Sequence, residues 1–439
     1  MIARGRGWLA VRLAAATLVA AAGCTPGPVV ATASSLPPRP TAAASAVPQG
    51  PGSAAAAMKA LCVAPTISRG RMPPGATPPE IARVEHDVER VRDLTYERPL
   101  DVTAITRSEM NRRLTGAFDA SYPRRLWDRR SRAWQAIGVI PGGSSIRDAI
   151  LRYQTGQVVG FYDPDTGELV YVGTTHLDVV SEFILAHELT HAIDDQHFDL
   201  TRLDRLVTSC RDENEEAALG AVEGSAQYFA TQVLLRFPGV LAPSRPPGGQ
   251  PVVPTVDVPP FIQELELWPY TAGQAFITAL QAKGGIPAVN RAIRHLPIST
   301  EQVIHPERYP NDLPIAVDVP DLGSKLGSGW RDLDVEQIGE EWLKAMLALR
   351  LDANAAARAA AGWGGGLYRA WSDGSHTAVV LRTVWDTPAD ATEFAAAVGV
   401  WIAKEPGAQG FVESPDASAV EVAFAGDADT LTTLRAALA

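Results

Sequence analysis

The sequence predicts an α+β protein: a mainly helical body with a small β-hairpin or sheet, then a small C-terminal domain of ββαββα order. Three observations predict it. The stretch "GQVVGFYDPDTGELVYVG" (156–173) alternates apolar and polar residues on both sides of a Pro-Asp-Thr-Gly turn, as a hairpin requires. Around it, apolar residues recur at helical spacing from about Pro79 to Leu94, Asp178 to Gln196 and Asn214 to Leu235. Beyond residue 350 the character changes: "GLYRAWSDGSHTAVVLRTVW" (366–385) is a second hairpin turning at Asp373-Gly374, and a helix, two short strands and a final helix follow.

Taken from the N-terminus, residues 1–24 set Arg4, Arg6 and Arg12 before an apolar run from Leu13 to Ala22 and end at Cys24. Such a run is far shorter than the roughly 20 residues of a membrane-crossing helix, so it reads as an export signal. The ending "AAGC" resembles the bacterial lipobox, with Ala21 where Leu is usual. That resemblance implies cleavage before Cys24 and a lipid on its sulfur, holding the chain on the outer face of the cell membrane, while Ala21 leaves cleavage by ordinary signal peptidase as the alternative. Residues 25–75, rich in Pro, Ala and Ser, are expected to form a disordered tether. The body is expected over 76–350 and the C-terminal domain over 351–439. With Cys24 lipidated, Cys62 and Cys210 are an even remainder in an oxidising compartment and are expected to pair.

Within the body, "RPLDVTAI" (98–105) alternates like a strand and "SEMNRRL" (108–114) reads as helical. The Arg-rich stretch 122–138 reads as a solvated helix with Leu126, Trp127 and Trp134 turned inward and a basic surface face. Residues 236–261, rich in proline and without periodicity, form a long loop, a lid or a disordered connection. Helices resume at about Tyr270–Lys283, Pro287–His295 and Val335–Leu349. A net charge of -11 argues against a nucleic-acid groove, which rests on clustered Lys and Arg.

The chemistry concentrates in "AHELTHAIDDQH" (186–197). His187, Glu188 and His191 have the H-E-x-x-H spacing of zinc peptidases. Residues four apart share a helix face, so His187 and His191 can direct two imidazoles at one ion. Glu188, one residue further round, can reach a water on the metal and act as general base. One Zn2+ is therefore the expected cofactor.

Two residues compete for the third ligand position. His197 stands at the metzincin spacing H-E-x-x-H-x-x-G-x-x-H, but Asp194 replaces the glycine that lets the helix break, and no Met-turn follows. Glu223 lies 32 residues after His191 on the next helix, among Gly224, Ser225 and Ala226, small neighbours that would let that helix approach the first. Glu223 is preferred. Asp194 or Asp195 could orient an imidazole or be solvated charges at a helix end, and His305 could donate to an oxyanion or be a structural histidine. His86, His176, His295 and His376 lack partners at ligand spacing.

"VEGSAQY" (222–228) resembles the Asn-Glu-Gly-aromatic-Ala segment with which zinc aminopeptidases related to leukotriene hydrolase hold their metal, with Val222 and Ser225 departing from it. "WPYTAGQAF" (268–276) resembles their Pro-Tyr-x-Lys-Gly stretch, which implies an oxyanion-stabilising role for Tyr270; Ala272 replaces the lysine and Gly273 is kept. "HELTHAIDDQ" is similar to the thermolysin helix. Together with "GFYDPDTGELVYV" and "STEQVIHPERY", these motifs resemble a group of uncharacterised exported HEXXH proteins of bacteria and archaea over about residues 85 to 385. The resemblance implies a zincin-like metallopeptidase domain of gluzincin type: His187, His191 and Glu223 on zinc, Glu188 and Tyr270 catalytic, and a protein or peptide outside the membrane as substrate. The alternative is a metal-binding but non-proteolytic envelope lipoprotein that binds a cell-wall component or a partner.

Overall fold

The computed structural model describes residues 50, 52–62, 77–173, 177–206, 209–237, 256–405 and 409–438. The export signal, Cys24, most of the expected tether and His176 lie outside them. No helix among the described residues is long and apolar enough to cross a membrane. The protein is α+β, with two sheets and a majority of helix.

Within 25–75, where only a tether is expected, helix α1 (Ala54–Leu61) forms, its N-terminus capped by Ser53, which accepts from Ala56 N–H. Ala54 and Ala57, one turn apart, are buried against Val335, Leu367 and Trp371 of the C-terminal sheet. Composition misjudges this segment because two alanines need no core of their own when another part of the chain supplies the apolar face. Cys62, just past α1, is disulfide-bonded to Cys210, with Cα atoms 5.8 Å apart.

The body follows as α2 (Pro79–Arg92), β1 (Asp101–Ile105), α3 (Arg107–Ser121), α4 (Arg124–Ile137), α5 (Ile146–Gln157), β2 (Gly160–Asp163) and β3 (Glu168–Val172). The hairpin β2–β3 turns through Gly167, whose N–H bonds Asp163 O at 2.7 Å, and β1 adds in parallel to β3, giving the order β1-β3-β2. Asp178 caps helix α6 (Val179–Phe198) by accepting from Ser181 N–H, and α7 (Asp212–Arg236) follows a 3-10 turn.

Helix α8 (Pro260–Arg294) starts earlier than its expected beginning at Tyr270 and is interrupted only at Gly284 and Gly285. Pro269 suggests a helix start because it lacks an N–H. Burial of Phe261, Ile262, Trp268 and Tyr270 on both sides of it offsets the one lost bond. Residues 238–255 of the expected loop lie outside the described residues.

The C-terminal region runs α9 (Thr300–Ile304), α10 (Gly323–Leu326), β4 (Arg331–Gln337), α11 (Glu340–Ala348), α12 (Ala353–Ala360), β5 (Trp363–Ser372), β6 (Thr377–Trp385), α13 (Pro388–Ala403), β7 (Gly410–Asp416), β8 (Ala419–Ala425) and α14 (Ala428–Leu438). Strands pair antiparallel in the order β4-β5-β6-β8-β7. Residues 335–337, expected to begin a helix, instead end the edge strand β4. Asp332 to Glu336 do alternate polar and apolar residues, but the pairing is bulged between Asp332 and Asp334, and the polar positions Asp334 and Glu336 are buried. The sheet thus begins well before residue 351, and one core joins it to α4 and α5 without a break at 350.

Leu126, Trp127 and Trp134 of α4 are buried in that core. Its basic face is not wholly solvated: Arg130 is buried, bonded to Asp212, 3.1 Å from Asp334 and 3.4 Å from Glu336. Three carboxylates from β4 and α7 compensate the charge that a sequence-based reading assigns to water.

Candidate metal centre

Helix α6 lies between the hairpin on one side and α7 on the other, and its buried length carries His187, Glu188 and His191, all 0 % exposed. Helix α7 delivers Glu223 to the same point. His187 Nε2 lies 3.1 Å from Glu223 Oε2, His191 Nε2 3.3 Å from that oxygen, and the two imidazole nitrogens are 3.1 Å apart.

These distances fit one ion. A tetrahedral zinc site with bonds of about 2.0–2.1 Å separates neighbouring ligand atoms by about 3.3–3.4 Å. Three lone-pair atoms converge, and a buried divalent cation would supply the charge that such a cluster lacks. Burial opposes ionisation of Glu223, but His191 and His187 outweigh it and hold its carboxyl below the usual range. Neither imidazole Nδ1 has a hydrogen-bond partner, unlike the common arrangement in which the distal ring nitrogen donates to an oxygen.

The structure does not bring His197 to this cluster. Asp194 does not break α6, so His197 sits about 9 Å further along the helix than His191 and turned by about 240°. Its Nε2 bonds Thr95 O at 2.8 Å instead. His305 is also engaged elsewhere, 3.1 Å from Glu340 Oε1. A second acidic group, Glu301, Asp312 and Asp386, is already filled by the Arg308 guanidinium.

Glu188 is fixed by a residue that sequence reasoning missed. Its Oε2 accepts the backbone N–H of Tyr162 at 2.8 Å, while Oε1 is buried without a partner. Burial pushes this carboxyl up to about 8; Glu223 pushes the same way, and His187 and the Tyr162 N–H pull it back. The Tyr162 hydroxyl donates to Asp195 Oδ2 at 2.9 Å, so one residue of β2 grips α6 at two points. The position of the hairpin directly before the histidine helix is the only sequence signal of this contact.

Tyr270 stands beside the cluster, its ring centroid 6.0 Å from that of His187. Burial, reinforced by Glu223, Glu266 and Glu188, drives its hydroxyl well above the ordinary value, which keeps the proton available for donation. The small residues after Glu223 act differently from the expectation. Gly224 meets Gly273 of α8, where a Cβ at Gly224 would lie 2.2 Å from the Gly273 carbonyl. This contact lets α8 seat Tyr270, one turn before Gly273, against the cluster. Ser225, not Gly224, faces α6, donating to Asp194 Oδ2 at 2.8 Å. Neither Asp194 nor Asp195 reaches an imidazole Nδ1.

Tyr270 also belongs to a buried apolar cluster with Met110 and Leu114 of α3 and Val158, Phe161 and Val170.

Residues 328–438 match the family described as Domain of unknown function (DUF8575). The match spans the five-stranded sheet and its helices from just before β4 to the end of α14, and none of the residues around Glu223. No curated protein and no solved structure matches the chain.

Proposed function

We propose that the protein is an exported zinc metallopeptidase of gluzincin type with a zincin-like body, hydrolysing a protein or peptide outside the membrane. The observation that carries this reading is the convergence of His187 Nε2, His191 Nε2 and Glu223 Oε2 beside a carboxylate oxygen of Glu188 that has no other partner. The three residues would hold the ion, whose chemistry when bound is to polarise a carbonyl and lower the pKa of a bound water. Glu188, with Oε2 held by Tyr162, receives a proton at Oε1 and returns it to the leaving amine. Tyr270, keeping its proton, donates a hydrogen bond from its hydroxyl to the developing oxyanion. The Arg-flanked apolar run and Cys24 support a lipid-anchored place on the outer face of the cell membrane.

One observation favours the second reading, a metal-binding envelope lipoprotein without proteolysis: His187, Glu188, His191, Glu223 and Tyr270 are all at most 2 % exposed. A peptidase must open to substrate; a structural metal need not. The test is metal analysis and peptide hydrolysis on the full chain. Glu223→Ala should lose zinc and His197→Ala keep it. Glu188→Gln should keep zinc and abolish hydrolysis; zinc retention with no hydrolysis by the unmodified chain on any peptide pool would favour the second reading.

A further inference from the structure

We propose that Arg92, Asp194 and Ser225 form a buried relay that positions the metal ligands, so that zinc affinity, not only fold stability, depends on it. This rests on the metal reading above. His187, His191 and Asp194 are spaced i, i+4, i+7 and share one face of α6. Two side chains of that face hold imidazoles at the cluster; the third reaches across to α7, where Asp194 Oδ2 accepts the Ser225 hydroxyl at 2.8 Å. Ser225 is two residues beyond Glu223. The helices are thus tied at two neighbouring points, one through the ligand carboxylate and one through this hydrogen bond, which fixes both their spacing and the rotation of α7.

The Asp194 charge is balanced from a third helix. Arg92, fully buried at the end of α2, donates Nε to Asp194 Oδ1 at 2.7 Å. Its Nη1 bonds Asn290 of α8, and its guanidinium lies 4.9 Å from the Phe229 ring centroid on α7. Helices α2, α6, α7 and α8 therefore meet at one guanidinium–carboxylate pair a turn away from the ligands. A hydroxyl removed here leaves a buried carboxylate oxygen unpaired and frees α7 to turn. Glu223 would then no longer be held ready within 3.3 Å of both imidazoles.

The experiment measures zinc dissociation constants of the full chain by competition with a chromogenic chelator. Ser225→Ala and Asp194→Asn should each weaken zinc by about 10- to 100-fold, and Ser225→Thr, which keeps the donor, should restore binding to within a few-fold. Thr190→Val is the matched comparison: it deletes an equally buried hydroxyl whose bond to Ala186 O stays inside α6, and it should leave zinc affinity unchanged. The proposal is overturned if Ser225→Ala binds zinc as the unmodified chain does, or if Thr190→Val weakens it equally. If Ser225→Ala does not fold, Asp194→Asn decides by the same criterion. An unmodified chain that takes up no zinc would instead defeat the metal reading itself.

Discussion

Alanine in place of glycine inside a helix ordinarily stabilises by about 0.5–1 kcal/mol. At Gly224 the sign should reverse. The added methyl would lie 2.2 Å from the Gly273 carbonyl carbon and oxygen, and ordinary contact begins at 3.4 Å. Helices α7 and α8 must therefore part by about 1.2 Å, and because backbone meets backbone no side chain can rotate to relieve it. Overpacking of this kind costs about 1–3 kcal/mol. Taking the upper end and subtracting the propensity gain leaves a loss of about 2 kcal/mol, or a fall in Tm of roughly 2–4 °C for a chain of this size. Tyr270 rides on the displaced helix, and a misplacement near 1 Å can lower kcat/KM by about 100-fold. Gly116 supplies the contrast: it is exposed on α3 with nothing within 4 Å of a built Cβ, so Gly116→Ala should stabilise. Thermal and denaturant unfolding of both variants is the assay. If Gly224→Ala proves as stable as Gly116→Ala, the close crossing does not exist as described.

Other outcomes follow from other parts of the molecule. Removing the Cys62–Cys210 bond opens a loop with a sequence separation of 148 residues; chain entropy alone puts the loss at up to about 5 kcal/mol, measurable as a lower denaturant midpoint for Cys62→Ser with Cys210→Ser. Stability of the zinc-free chain should fall as pH rises from 5 to 9. Burial pushes the Glu341 carboxyl up to about 8 and that of Glu301 to about 9, against the pull of Lys344 and Arg308. A carboxyl raised on folding favours the protonated native state, so its contribution is complete below the unfolded value and is lost as pH climbs through the folded one. Urea midpoints that rise over this range would refute the assignment. Glu188→Gln should leave zinc stoichiometry intact while hydrolysis disappears, read by metal analysis and a peptide cleavage assay.

Much of this was legible in local pattern. The hairpin at 156–173 and the ββαββα order declare themselves through alternation and turn residues, because both are set by neighbours in sequence. His187 and His191 needed only helical periodicity. Glu223 was legible as a lone acid among small residues, although the reason for those residues was not: Gly224 answers to Gly273, a partner far along the chain. Arg130 and Asp194 look like surface charges until the carboxylates and the guanidinium that neutralise them arrive from other elements. Strand β4 carries the buried acids Asp334 and Glu336, whose compensating Arg130 comes from another element, and α1 has a composition that suits a tether equally well. In each case the deciding contact is long-range, which no window of residues contains.

The attachment of α1 has a mechanical consequence. Chain entering at residue 50 is pinned by Arg369 on Gly52 O at 2.8 Å, by Asp318 on Ala54 N at 2.7 Å, by Arg129 on Leu61 O at 2.8 Å, and then covalently to Cys210. Any pull on that end is shared between these hydrogen bonds to the sheet, to α4 and to the segment at Asp318, and a single sulfur bridge. The bridge fastens just ahead of the helix that bears Glu223, so reducing agents would remove the short covalent path by which traction at the N-terminal side reaches it and leave only the main chain of 148 intervening positions.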